Sequence, residues 1–99
     1  VKFLCLDIPR PGATPEQYQP HLLDETRHGW QLYTSGVIRD IYFRQDRPGV
    51  AIMAEADSIE LARKALADFP LAKAELIDWD IIPLGPFVGW QQLFAPGNA

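Results

Sequence analysis

The sequence predicts an α+β domain of order βαββαβ, folded as a four-stranded antiparallel sheet with two helices on one face. Three observations lead there. Residues 2–8, 37–44, 50–56 and 76–83 alternate in polarity or are rich in β-branched and aromatic side chains, as strands are. Two stretches of helical periodicity separate the first strand from the second and the third from the fourth. The middle strands are joined by Gln45-Asp46-Arg47-Pro48-Gly49, whose Asp, Pro and Gly favour a tight reversal. Helices confined to one side leave the other sheet face bare. A chain of 99 residues buries only about 60 to 65% of its unfolded surface, so a second copy covering that face is expected.

The first strand ends at the Pro9-Arg10-Pro11-Gly12 breaker, and its alternation sets Leu4, Leu6 and Ile8 on one face and Phe3, Cys5 and Asp7 on the other. Thr14-Pro15 is a helix start, Thr as cap and Pro at the first helical position, and Pro20 then demands a kink or a fresh start. At about 100° per residue, Leu22, Leu23, Thr26, Trp30 and Tyr33 share one face, which is expected to pack on the sheet. Gly36 supplies the left-handed stop. After the hairpin, Asp57-Ser58-Ile59-Glu60 caps a second helix whose Ile59, Ala62, Ala65, Leu66 and Phe69 recur at helical spacing until Pro70 ends or kinks it. The last strand sets Ile77, Trp79 and Ile81 on one face and Asp78 and Asp80 on the other.

Residues 1–84 therefore form the domain, and residues 85–99 a C-terminal aromatic arm carrying Phe87, Trp90 and Phe94. Three large aromatics need cover. Either they pack on their own subunit, or the arm crosses a partner subunit and closes a pocket there.

Net charge is −4 and the nine Lys and Arg residues are scattered, with Arg39, Arg44 and Arg47 the one local concentration, so nucleic acid is not an expected partner. Cys5 is the single cysteine, which excludes an intrachain disulfide and a multi-cysteine metal site and suits a reduced, cytoplasmic setting. No apolar run approaches the ~18 residues that would span a membrane, and the opening Val1-Lys2-Phe3-Leu4-Cys5-Leu6 is too short for a signal sequence.

Chemistry without a cofactor needs a base, a group to return the proton, and donors for developing charge. Asp7 and Glu55 are the expected proton carriers, placed with Cys5 and Met53 on the face opposite Leu4, Leu6 and Ile52; the alternative is that they are wetted at strand ends or paired with arginine. Arg39 and Tyr42 fall on opposite faces of a regular strand, so both enter one cleft only through a bulge. An inward Arg39 would clamp a substrate carboxylate, whereas beside Asp40 it makes a surface pair. His21, Glu25 and His28 share about a 60° arc opposite the Leu22 and Trp30 face, which reads as a solvated stripe and not as a metal site; His28 could serve as acid or base toward a neighbouring subunit. Trp79 reads first as core and second as a substrate contact beside Arg39, Tyr42 and Met53. Cys5 behaves as a small hydrophobe. No phosphate-cradling loop, dinucleotide fingerprint or Ser-His-Asp set is present.

The run Gly36-Val37-Ile38-Arg39-Asp40-Ile41-Tyr42-Phe43-Arg44, the helix end Phe69-Pro70-Leu71 and the strand Ile77-Asp78-Trp79-Asp80-Ile81-Ile82-Pro83-Leu84 together resemble muconolactone isomerase and its relatives, over most of the chain. The resemblance implies a ferredoxin-like subunit whose sheet pairs with a second copy as a dimeric α/β barrel, in some cases within larger rings such as decamers. It also implies proton transfer within an unsaturated lactone, with no metal or cofactor. The aromatic tail departs from that family, and its site cannot be matched residue by residue on the first helix. The expected function is a small cofactor-free isomerase acting on a hydrophobic acid or lactone. The alternatives are a non-catalytic small-molecule-binding or scaffold protein and a cofactor-free monooxygenase of the same barrel fold.

Overall fold

The computed structural model describes residues 1–97; the last two residues of the expected arm, Asn98 and Ala99, lie outside the described residues. The order is β1 (Lys2–Pro9), α1 (Pro15–Tyr18), a 3₁₀ turn (Gln19–His21), α2 (Leu22–Thr34), β2 (Ile38–Phe43), β3 (Val50–Glu55), α3 (Ile59–Ala67), α4 (Pro70–Lys73), β4 (Ile77–Leu84) and a 3₁₀ segment (Val88–Phe94). The strands form one antiparallel sheet in the order β2-β3-β1-β4, so the βαββαβ reading holds, with β1 and β3 central.

Local chemistry sets the boundaries. Thr14 accepts from the Gln17 N–H while the Gln17 side chain accepts from the Thr14 N–H, a reciprocal cap that starts α1 at Pro15. Pro20 forces the fresh start, because the chain passes through a 3₁₀ turn before α2 begins at Leu22. Gly36, at φ 87°, ends α2. Ser58 caps α3 by accepting from Leu61 N–H at 3.2 Å. Pro70 opens α4 as its first residue, so the helical layer breaks at Phe69.

Cross-strand register decides what each sheet face carries, since residues directly opposite one another point to the same side. Phe3 pairs with Ala54 and Pro83, and Cys5 with Ile52 and Ile81; with Ile38 these form the covered face. Leu32 of α2, Ala62 and Leu66 of α3, and Phe69 complete the core from above. The opposite face carries Leu4, Leu6, Met53, Tyr42, Ile82 and Leu84, and no helix covers it.

Two expectations are corrected here. Ile52 and Met53 stand on the faces opposite to those expected, because Cys5 pairs with Ile52 and Leu4 with Met53. Asp7 therefore lies under the helices while Glu55, opposite Lys2, belongs by register to the bare face. The second correction concerns α2, whose apolar stripe of Leu22, Leu23, Trp30 and Tyr33 points away from the sheet and is exposed. Its inner side holds Glu25, His28, Gly29 and Leu32 instead. The break before α4 explains the inversion, because it leaves backbone groups at the end of α3 and the start of α4 without helical partners. Glu25 Oε1 accepts from the Leu71 N–H at 2.9 Å, and His28 Nε2 lies 3.1 Å from the Ala65 carbonyl oxygen.

The arm stands away from the domain. Its aromatics touch one another, Phe87 on Trp90 at 5.2 Å, while Trp90 and Phe94 are 64% and 84% exposed. The radius of gyration is 16.9 Å, against about 13 Å for a compact chain of this length, and the long axis is 61 Å.

Glu75 follows α4 at φ 60°, in the left-handed region, while the Leu76 N–H bonds back to the Leu71 carbonyl at 3.0 Å. Glu75→Gly is expected to stabilise the fold by about 0.5–1 kcal/mol, the relief of this conformation exceeding the added freedom of the unfolded chain. A higher urea midpoint with an unchanged slope checks it.

Candidate functional site

The helix-covered face carries a polar cluster where β1 ends. Across the sheet, Trp79, Asp7, Val50 and Phe43 form one row, set by the pairing of Asp7 with Trp79 and of Phe43 with Val50 and by the bond from Val50 N–H to Asp7 Oδ1 at 2.9 Å. Asp7 is 7% exposed, the one buried charged side chain among the described residues. A buried carboxylate needs partners. Besides Val50, Arg47 supplies them: Nη1 stands 4.0 Å from Asp7 Oδ1 while Nη2 donates to the Asp7 carbonyl at 2.6 Å, and Nη1 also donates to the Pro48 carbonyl.

Gly49 makes this packing possible. It sits at φ 144°, and a Cβ there would come within 2.6 Å of Asp7 Oδ1 and 2.7 Å of Arg47 Nη1. The Arg44 N–H to Gly49 carbonyl bond, 2.8 Å, closes the hairpin above it. Arg44 also grips Asp46 and pulls that carboxyl down to about 2, which holds the turn in one shape.

From the helical side come Tyr18, at the end of α1, and Glu25. Burial raises the Glu25 pKa, the Leu71 N–H bond opposes that rise, and the negative charge of Asp7 adds to it. Burial likewise raises the Tyr18 phenol, with Asp7 and Glu25 pushing the same way and Arg47 opposing. Each group thus feels the others across one space. On the same sheet face, along the edge strand β2, Ile41 and Phe43 stay exposed, Phe43 at 81%. A protonatable carboxyl, a phenol, a fixed carboxylate and a guanidinium beside an apolar shelf can bind an anionic aromatic or alicyclic molecule and move a proton on it.

The sequence-predicted residues divide between the two faces. Asp7, His28 and Trp79 lie under or within the helical layer. His28 sets its ring edge-on to Phe69 at 4.5 Å, and Trp79 donates its indole N–H to the Leu66 carbonyl at 3.0 Å, so both also hold the core. Tyr42 and Met53 lie on the bare face. Glu55 sits at the far end of β3, its Oε2 buried without a hydrogen-bond partner, and shares with Arg39 an open depression of about 470 Å³ between Val1, Gly36 and Leu61. Asp7 and Glu55 therefore lie on opposite faces of the sheet within one chain.

Arg39 is the extra residue of a β-bulge, since Ile38 pairs with Ala54 and Asp40 with Met53; the bulge returns Tyr42 to the bare face. A second open depression, about 310 Å³, lies between Arg10, Arg63 and Trp79. His21, Glu25 and His28 form an inward stripe and not a solvated one, and among the described residues no three His, Cys, Asp or Glu side chains gather as metal ligands. Tyr18, Glu25 and Arg47 are not marked as site residues by the sequence; the one signal for Glu25 is the polar arc of α2, which periodicity alone turns toward water.

Gly49→Ala is expected to destabilise the fold by about 2 kcal/mol through both backbone strain and displacement of the Asp7–Arg47 pair, read by chemical denaturation. Because the Glu25 pKa is raised on folding, its ionised form opposes folding: the penalty is absent below about pH 4, where the group is protonated folded or unfolded, and full above the raised value. Glu25→Gln, which keeps an acceptor for Leu71, should therefore raise the melting temperature at about pH 8, with the gain vanishing near pH 4; thermal melts across that range test it.

No protein-family model and no curated protein matches the sequence. Solved structures do match the fold. One is 5-chloro-2-hydroxyhydroquinone dehydrochlorinase from Burkholderia phenoliruptrix, in complex with 2,5-dihydroxybenzoquinone: 17% identity, TM-score 0.70, 86% of this chain and 94% of that chain covered. Another is muconolactone isomerase, with 16% identity, TM-score 0.71, and 90% and 93% covered. The resemblance read from the strand and helix-end motifs is thus matched in three dimensions, and the chain has the α+β fold of the muconolactone isomerase-like proteins.

Proposed function

We propose that this protein is a cofactor-free enzyme that moves a proton on a small, hydrophobic, acid-bearing ring substrate, in the manner of a lactone isomerase. One observation carries the reading. The inverted helix α2 turns Glu25 inward, where it accepts from the Leu71 N–H and where its pKa, raised by burial, also feels the charge of the buried Asp7.

In this reading the Glu25 carboxylate takes a proton from carbon next to a carbonyl, and the C–H electron pair moves into the carbonyl as an enolate. Tyr18, kept as a phenol by its raised pKa, donates a hydrogen bond to that oxygen. Protonated Glu25 then returns the proton to a second carbon of the conjugated system, so no redox partner is needed. Asp7 holds Arg47 and the hairpin in place, and Arg47 attracts the substrate's carboxylate. Removal of a ring proton also begins a dehydrochlorination, the activity named for one of the structural neighbours, so chlorinated hydroxyhydroquinones belong in the same screen as lactones. A cytoplasmic setting suits Cys5, fully buried and with its thiol pushed up to about 11 by burial.

The bare sheet face belongs to the same reading. We assign it to a second copy, giving a homodimer or a larger homo-oligomer with the sheets packed face to face. Light scattering should report at least two chains at micromolar concentration, and Tyr42→Glu with Met53→Glu should return single chains that keep their helical signal. A single-chain mass for the parent protein would overturn the assembly.

For the chemistry, an unsaturated γ-lactone incubated with the protein in heavy water should gain deuterium at the isomerised carbon. Glu25→Gln is expected to lower kcat by about 100-fold or more, and Tyr18→Phe by about tenfold or more. Unchanged rates in both would remove the cleft as the reaction site. Oxygen uptake with a quinol would point to the monooxygenase alternative, and tight binding without turnover to a binding protein.

A further inference from the structure

Two apolar surfaces remain after the sheet faces are paired, and they are not alike. One is the outward stripe of α2, where Leu23 and Trp30 are each 64% exposed and Trp30 stacks on Tyr33 at 5.7 Å. The other is the arm, whose Phe87, Val88, Trp90, Leu93 and Phe94 are all exposed. Residues 81–99 contain no Asp, Glu, Lys or Arg, so the arm has no charge to offset its exposed aromatics.

We propose that the arm of one copy lies along the Leu23, Trp30 and Tyr33 stripe of α2 in a second copy. The argument is one of matching. A sheet face is self-complementary and pairs with its own kind about a two-fold axis, which leaves two different apolar surfaces per chain, each needing an unlike partner. The arm does not fold back on its own domain, as the 61 Å long axis requires. At roughly 100 to 150 Å² for each exposed large side chain, the arm offers on the order of 500 Å². Two reciprocal arms with the stripes beneath them then bury on the order of 1,800 Å² in total, the size of a stable protein interface. An uncharged aromatic segment also suits a lipid surface, but a chain of net charge −4 lacks the basic residues that hold such segments on anionic membranes.

The seat has a functional side. The stripe is the back of the helix whose front carries Glu25 and His28, so an arm laid on it would brace the roof of the neighbour's cleft. The docking itself rests on exposure and shape and stands whether or not the cleft is catalytic.

Two single variants test it while leaving the apolar contacts intact: Thr26→Cys on the stripe and Gln91→Cys in the arm. Cys5, fully buried, does not compete. Mixed and mildly oxidised, the two variants should give a disulfide-linked species of two chains that neither gives alone. Independently, Trp30→Ser and Trp90→Ser should each weaken self-association by about tenfold or more, and the pair together by little further. Any of four results overturns the proposal: a linked species from Thr26→Cys alone, which would mean stripe on stripe; linkage of Gln91→Cys to Ala51→Cys on the sheet face instead; linkage within one chain carrying both cysteines at high dilution; or transfer of the parent protein onto phosphatidylcholine vesicles with a blue shift of tryptophan emission.

Discussion

The break between α3 and α4 sets most of what is distinctive in this molecule. Pro70 cannot continue α3, which ends at Ala67, and restarting the helix at Pro70 itself leaves a carbonyl at Ala65 and an N–H at Leu71 without helical partners. Leaving such groups dry and unpaired costs about 1–3 kcal/mol each. Glu25 and His28 satisfy both from the facing helix. These bonds take the inner side of α2 and leave Leu23, Trp30 and Tyr33 exposed on the outer side. Gly29 faces Phe69, and a Cβ there would meet the ring at an ordinary contact distance of 3.8 Å.

A polar helix face turned inward is also what brings Glu25 into the electrostatic reach of Asp7. In a helix-on-sheet layer packed by leucines the space above Asp7 would be filled. Here Tyr18, Glu25 and Arg47 interact electrostatically with Asp7, and burial above all, with the Asp7 charge adding to it, raises the glutamate pKa. The hairpin contributes through Gly49, whose lack of a side chain lets the Asp7 carboxylate and the Arg47 guanidinium approach the same point of backbone. Asp7 and Gly49 therefore hold the hairpin to β1 as well as shaping the candidate site.

The architecture was legible because it rests on local signals with short range: the Thr14-Pro15 cap, Gly36 at the end of α2, the Asp46 to Gly49 reversal, and the alternation in residues 77–81. What misled was anything needing knowledge of the partner element. Alternation along β3 gives two faces but not which one meets Cys5; only the register with β1 decides, and a shift of one residue exchanges Ile52 for Met53. Helical periodicity along α2 finds two stripes but assigns the apolar one to the core by habit, and nothing within α2 announces the stranded groups at Ala65 and Leu71. Tyr18 gave no periodic signal at all, lying in a helix of four residues.

The bulge at Arg39 has a consequence for how such a protein diverges. Were Arg39 drawn into regular pairing, each later residue of β2 would change sides, sending Asp40 and Tyr42 toward Asp7 and Ile41 and Phe43 to the bare face. A single insertion or deletion in the adjoining loop is the kind of event that moves a bulge. Moving the bulge would therefore exchange the side chains beside Asp7 and those on the bare face in one step, so the two faces of β2 cannot diverge independently.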